Sequence, residues 1–197
     1  MINKLSVKLT HRLLSKGTIE EQDTDIYIYG FFIFLSYLFY FSVTFLFGLL
    51  FSCVFESIIH FLTFQFIRKF AGGYHANTEL RCEIMSITSI ALCVLIIKLS
   101  KTFDFQIALI IITAISAICI FFFSPLESYE KPLTVREFNR YRKISRLILL
   151  IASALVLLSF IFELKFLFAP SCLSLILESI LLIAGKVKKV YQLKNAE

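Results

Sequence analysis

From Ile26 to Ile67 the chain is almost unbrokenly apolar, and this run limits its possible folds more than any other feature. As a single helix it would reach roughly 60 Å, about twice the hydrocarbon thickness of a bilayer, so it must double back. Gly48 to Ser52 is the expected place for a tight hairpin. Further apolar stretches at about 84–99, 106–123, 146–163 and 167–185 bring the layout to about six transmembrane helices. With 58% hydrophobic and 17% charged residues, the 197-residue chain is too apolar for a soluble domain. The fold class that follows is an all-α, polytopic integral membrane protein.

Residues 2–16 place Ile2, Leu5, Leu9 and Leu13 on one helical stripe, with Lys4, Lys8, Arg12 and Lys16 off it. That is the pattern of an amphipathic helix lying on an anionic membrane surface. Gly17 offers a stop, and Thr18-Ile19-Glu20-Glu21 reads as a capping box that starts the next helix. No compact apolar core with a small-residue cleavage site opens the chain, so no signal peptide is expected. The expected layout is one membrane domain over 1–197: an amphipathic cytoplasmic segment over 1–25, a six-span bundle over 26–185 and a basic cytoplasmic tail over 186–197. Of the 20 Lys and Arg residues, all but Lys98, Lys101 and Lys165 fall on one side of that layout. This asymmetry predicts a multi-pass cell-membrane protein with both termini in the cytoplasm and the 68–82 segment on the cytoplasmic face. Basic residues placed beside spans point to membrane lipids as partners and away from nucleic acid.

Arg68 to Cys82 differs in kind. It reads RKFAGGYHANTELRC between two apolar runs, at a membrane edge, and holds His75, Cys82 and an adjacent glycine pair. On a straight helix His75 and Cys82 would sit roughly 10 Å apart along the axis, too far to share a proton. Gly72-Gly73 can break the helix, and Asn77 or Thr78 can cap a new one, leaving Cys82 about one turn inside it. The His75 loop can then fold back over the thiol. A cysteine near a helix N-terminus, with Arg68 or Arg81 and an imidazole close by, ionises more readily than a free one. Glu79 and Glu83 oppose that effect, so pairing with His75 is the expected source of a reactive thiolate. A nucleophile, a base and a flexible backbone are the minimum equipment of a cysteine hydrolase or acyl-transferase. Taken singly, the same residues also fit an interfacial histidine and an incidental thiol.

The run from Arg68 through Gly73 and His75 to Cys82, in a six-span layout with a basic amphipathic N-terminus, resembles the accessory gene regulator B (AgrB) family. The resemblance covers the whole chain in layout and this segment in specific residues. It implies a membrane cysteine endopeptidase that matures the autoinducing-peptide precursor of a quorum-sensing system, an AgrD-like pro-peptide. By that resemblance Cys82 matches the nucleophile and His75 the general base. Arg68 and Gly73 match positions required for activity or for the local fold, with Gly72 and Arg81 beside them as supporting positions. The family further implies cleavage in the C-terminal part of the precursor through a thioester acyl-enzyme, closure of a thiolactone or lactone ring, and homodimerisation. No cofactor is expected, and no Cys/His spacing suggests a metal site.

Cys53, Cys93, Cys119 and Cys172 lie in apolar stretches or at a span end and read as small core residues. Glu56 and His60, four apart within the second span, read either as a satisfied buried pair or as a pair that orients helices and supports the site's electrostatics. Glu178 in the last span must find a partner, pack, or line a cavity. Lys131, Arg136, Arg140, Arg142, Lys143 and Arg146 either hold topology against anionic lipid or dock an acidic precursor tail. A different class of reading is a small peptide exporter or channel, in which Glu56, His60 and Glu178 line a path and Cys82 is incidental. A non-enzymatic scaffold or sensor is a third.

Overall fold

A computed structural model describes residues 2–74, 76, 78–127 and 133–194, with the side chain of Leu193 left aside. The described residues are all-helical: α1 (Ile2–Ser15), a short 3-10 turn (Glu21–Asp23), α2 (Thr24–Leu50), α3 (Val54–Ala71), α4 (Glu79–Ser100), α5 (Gln106–Phe123), α6 (Val135–Ile161) and α7 (Lys165–Lys194). Five segments are long and apolar enough to cross a bilayer: Glu21–Leu50, Glu79–Ser100, Gln106–Phe123, Val135–Ile161 and Lys165–Gln192. The second expected span is present as α3, an 18-residue helix with no stretch of 18 residues free of its three charges, Glu56, Arg68 and Lys69. The residues divide into two compact units, 1–43 and 44–197.

In the first unit α1 forms where its stripe predicts, and it stops at Gly17, whose φ of 66° suits glycine. The capping box expected at Thr18 does not form. Thr18 N–H donates to Leu13 O at 3.1 Å, closing the end of α1, and so cannot donate to the Glu21 carboxylate. The next element instead opens as a 3-10 turn after Glu20, and α2 begins at Thr24.

The second unit begins near the end of α2. The hairpin falls where expected, with Ser52 at φ 55° and Cys53 N–H bonded to Gly48 O at 2.8 Å. A Cβ on Gly48 would sit 2.8 Å from the Val54 backbone, so glycine lets α2 and α3 meet this closely. α7 is the hub: it packs on α5 and α3 and also meets α6 and α4. Of its most apolar window 61% is buried, against 28% or less for the other four spans. Small and hydroxyl side chains make that possible. Ser179 Oγ donates to Ser116 Oγ on α5 at 3.0 Å, and Ser174 Oγ meets His60 Nδ1 on α3 at 3.0 Å. Such pairs join helices where lipid gives no hydrophobic reason to associate.

Two helices begin earlier than the apolar runs alone indicate. α4 starts at Glu79 rather than near 84, and α6 at Val135 rather than near 146. A full capping box starts α6: Glu137 N–H donates to Thr134 Oγ1 at 3.3 Å, and Thr134 N–H donates to the Glu137 carboxylate at 3.0 Å. Arg136, Arg140, Arg142 and Lys143 are therefore exposed side chains on the first turns of α6, while Lys131 lies outside the described residues.

Candidate functional site

Arg68, in the last turn of α3, organises the site. Gly72 N–H closes the helix onto Arg68 O at 3.1 Å, after which Gly72 (φ 79°) and Gly73 (φ 135°) turn the chain through angles other residues rarely adopt. The Arg68 guanidinium spans this turn. Nη1 donates to Gly72 O at 2.7 Å and Nη2 donates to Tyr74 O at 2.6 Å. A Cβ on Gly73 would fall onto the guanidinium itself, and one on Gly72 onto Leu126 O. Each glycine is thus required by a close approach as well as by φ.

The far side of the turn is pinned by two other elements. Tyr74 N–H donates to Leu181 O of α7 at 2.9 Å, and Leu126 N–H donates to Ala71 O at 2.8 Å, so that Gly72 and Leu126 form a short bridge. Ser124 Oγ lies 3.1 Å from Ser145 Oγ of α6, and Lys189 Nζ of α7 lies 3.5 Å from the Glu127 carboxylate. The 124–127 segment thereby ties α6 and α7 to the glycine turn.

Thr78 then caps α4, its Oγ1 accepting from Arg81 N–H at 3.4 Å while its carbonyl accepts from Cys82 N–H at 3.1 Å. Cys82 sits one turn into the helix as a half-buried free thiol, as its sequence context indicates. The positive end of the helix dipole lies next to it. Arg81 is exposed, and Glu79 and Glu83 lie on the same first turns. Arg68 turns its guanidinium to the loop carbonyls and to Glu178, where Nη1 stands 4.0 Å from Oε2. It is a brace for the turn. His75 and Asn77 lie outside the described residues.

The remaining polar residues within the spans take separate partners. Glu56 pairs with Lys101 at the opposite end of α3 from Arg68, at 2.5 Å. His60 is buried against Ser174 and the Pro170 carbonyl, so Glu56 and His60 serve different contacts although one helical turn separates them. Glu178 is fully buried inside the bundle, facing Arg68. Cys53, Cys93 and Cys172 are buried and Cys119 is half-buried. Among the described residues no three His, Cys, Asp or Glu side chains converge as metal ligands would. Sequence reasoning missed Tyr74, Leu126, Leu181 and Gly185 as parts of the site's support. Only Gly185 carried a signal, as a glycine seven residues beyond Glu178 and hence on its face of α7.

The model of the accessory gene regulator B family matches residues 2–182. A protein described as AgrB-like from Clostridium perfringens (strain SM101 / Type A) is 28% identical over 168 residues, covering 82% of this chain and 78% of the relative. A second from C. perfringens (strain 13 / Type A) is 26% identical with the same coverage, and one from Halalkalibacterium halodurans is 28% identical over 87 residues, covering 44% of each chain. No solved structure matches. A match over nearly the whole chain settles the affiliation: the chain belongs to the accessory gene regulator B family.

Proposed function

We propose that this protein is a membrane cysteine endopeptidase that cleaves an autoinducing-peptide precursor and promotes ring closure of the product, with Cys82 as nucleophile and His75 as general base. Membership of the family ties the chain to quorum-sensing peptide processing. The observation that carries the finer reading is the half-buried Cys82 thiol one turn into α4, eight residues beyond a turn held by Arg68 and α7. Half-burial leaves sulfur reachable by a peptide while limiting water.

In this mechanism His75 accepts the Cys82 proton, and the thiolate attacks a backbone carbonyl in the C-terminal part of the precursor. N–H groups at the start of α4 stabilise the resulting oxyanion. Collapse breaks the peptide bond, and His75 returns the proton to the departing amine of the tail. The rest of the precursor stays on Cys82 as a thioester. A thiol or hydroxyl within the peptide gives its proton to His75 and attacks that thioester, forming the thiolactone or lactone and releasing Cys82 as thiolate. Restricted water at the membrane edge favours the ring over the linear acid. The residues lie at the cytoplasmic face, by the bias of Lys and Arg toward that side. The protein reconstituted in liposomes with an AgrD-like precursor is expected to show, by intact mass spectrometry, an adduct on Cys82 equal to the precursor minus its tail. Free tail without any adduct on Cys82 removes the thioester route.

Arg136, Arg140 and Lys143 follow an i, i+4, i+7 spacing on the exposed start of α6, with Arg142 beside them. This stripe suits an acidic precursor tail, which opposite charge would steer toward the site. Reversing Arg140 and Arg142 to Glu should raise the KM for the precursor about tenfold at low salt and flatten its salt dependence. An unchanged KM and salt profile would place docking elsewhere. The exporter reading gains no support from Glu56, His60 and Glu178, because each is engaged by a different group.

A further inference from the structure

Glu178 is fully buried, and among the described residues neither of its carboxylate oxygens accepts a hydrogen bond. The arginine at 4.0 Å is its ion partner. A carboxylate retained in that setting is costly, and such groups inside membrane spans usually serve a function. Its neighbours on α7 show what it serves. Leu181, three residues on, gives its carbonyl to Tyr74 N–H, and Gly185, seven residues on, admits the turn's backbone. A Cβ at Gly185 would come 2.9 Å from Tyr74 N and 3.0 Å from Gly73 C, so any larger residue pushes the turn away. Positions i, i+3 and i+7 share one face of a helix. Three features in a row on α7 thus meet Arg68, Tyr74 and Gly73 in turn.

We infer that Glu178, the Leu181 carbonyl and Gly185 form a seat on α7 for the glycine turn, with Glu178 as a positioning residue for the reaction. The carboxylate fixes the Arg68 charge, and the fixed fork then holds the Gly72 and Tyr74 carbonyls in place. That sets where the chain runs immediately before His75. The inference rests on the proposed pairing of His75 with Cys82 for its catalytic consequence, and on geometry alone for its structural one. A salt bridge in the bundle interior is thereby put to use as a spatial constraint rather than as a source of stability.

Two measurements on Glu178→Gln, an isosteric change that removes the charge and exchanges one acceptor oxygen for an amide donor, test it. Precursor cleavage in liposomes should show kcat lowered about 10- to 100-fold with KM held, the scale expected of a displacement near 1 Å. Glu178→Asp should recover most of that loss. Separately, Ala76→Cys in a Cys82→Ala background reports the turn directly: its alkylation by a small water-soluble reagent should accelerate when Glu178→Gln is added. Wild-type kcat, or an unchanged labelling rate, overturns the inference while leaving the cysteine peptidase reading intact. Cleavage by Cys82→Ala alone would defeat that reading while the labelling comparison still judges the seat. Should Glu178→Gln fail to insert, Gly185→Ala reads the same two quantities, and wild-type values in both overturn the seat.

Discussion

Cys82→Ala is expected to abolish precursor cleavage, by about 10⁴-fold or more, while the protein still inserts and folds. The two halves of this expectation come from different observations. Chemistry stops because no other described thiol is reachable by a peptide from the polar end of α4: Cys53, Cys93 and Cys172 are buried within helices and Cys119 lies in α5. Folding continues because Cys82 is only half-buried and its helix is started by Thr78, whose capping does not involve the thiol. His75→Ala should match it, since neither group acts without the other. Release of the precursor tail, followed by mass spectrometry in proteoliposomes, gives the rate, and detergent gel filtration gives the fold. Tail release at the normal rate from either variant would end the proposed mechanism.

Gly73→Ala is expected to lose most of its activity as well, for a different reason. The new methyl would occupy the place of the Arg68 guanidinium, at a φ of 135° that an L side chain rarely adopts. Arg68 must then leave, and with it go the bonds to Gly72 O and Tyr74 O and the counter-charge of Glu178. Glu178, itself fully buried, then loses its ion partner, which lowers stability. Cleavage should fall at least about 100-fold. The melting temperature in detergent should drop, unlike that of Cys82→Ala. Normal activity and melting in the Gly73→Ala protein would show that the guanidinium has another place to go.

Much of this architecture was open to reading because bilayers impose few choices. Apolar runs marked the long helices, and Gly48 to Ser52 marked the hairpin, since backbone angles and close approach both require small residues there. Thr78 and the glycine pair were legible for the same local reasons. The start of α6 was not, although Thr134 and Glu137 carry the same spacing as Thr18 and Glu21. Spacing alone cannot separate the two: Thr134 N–H is free to meet its glutamate, whereas Thr18 N–H is already committed to the end of α1. Hydropathy also conceals the first turns of α6, because a helix continues past the lipid wherever its cap and charges allow. The tertiary partners of the site were beyond reach. Nothing local announces that Leu126 bridges to Gly72, or that Arg68 looks inward to Glu178 rather than toward the thiol. Those are facts about which helix lies beside which, and α7 comes a hundred residues later.

That separation bears on biosynthesis. α7 leaves the ribosome long after α3, and the platform on which the turn after α3 rests includes its Leu181 and Gly185. Until α7 has been inserted, α3, α4, α5 and α6 lack the helix against which all four pack, and the glycine turn lacks its support. The turn therefore takes its final shape only once α7 is in place, however early α3 and the glycines have been made.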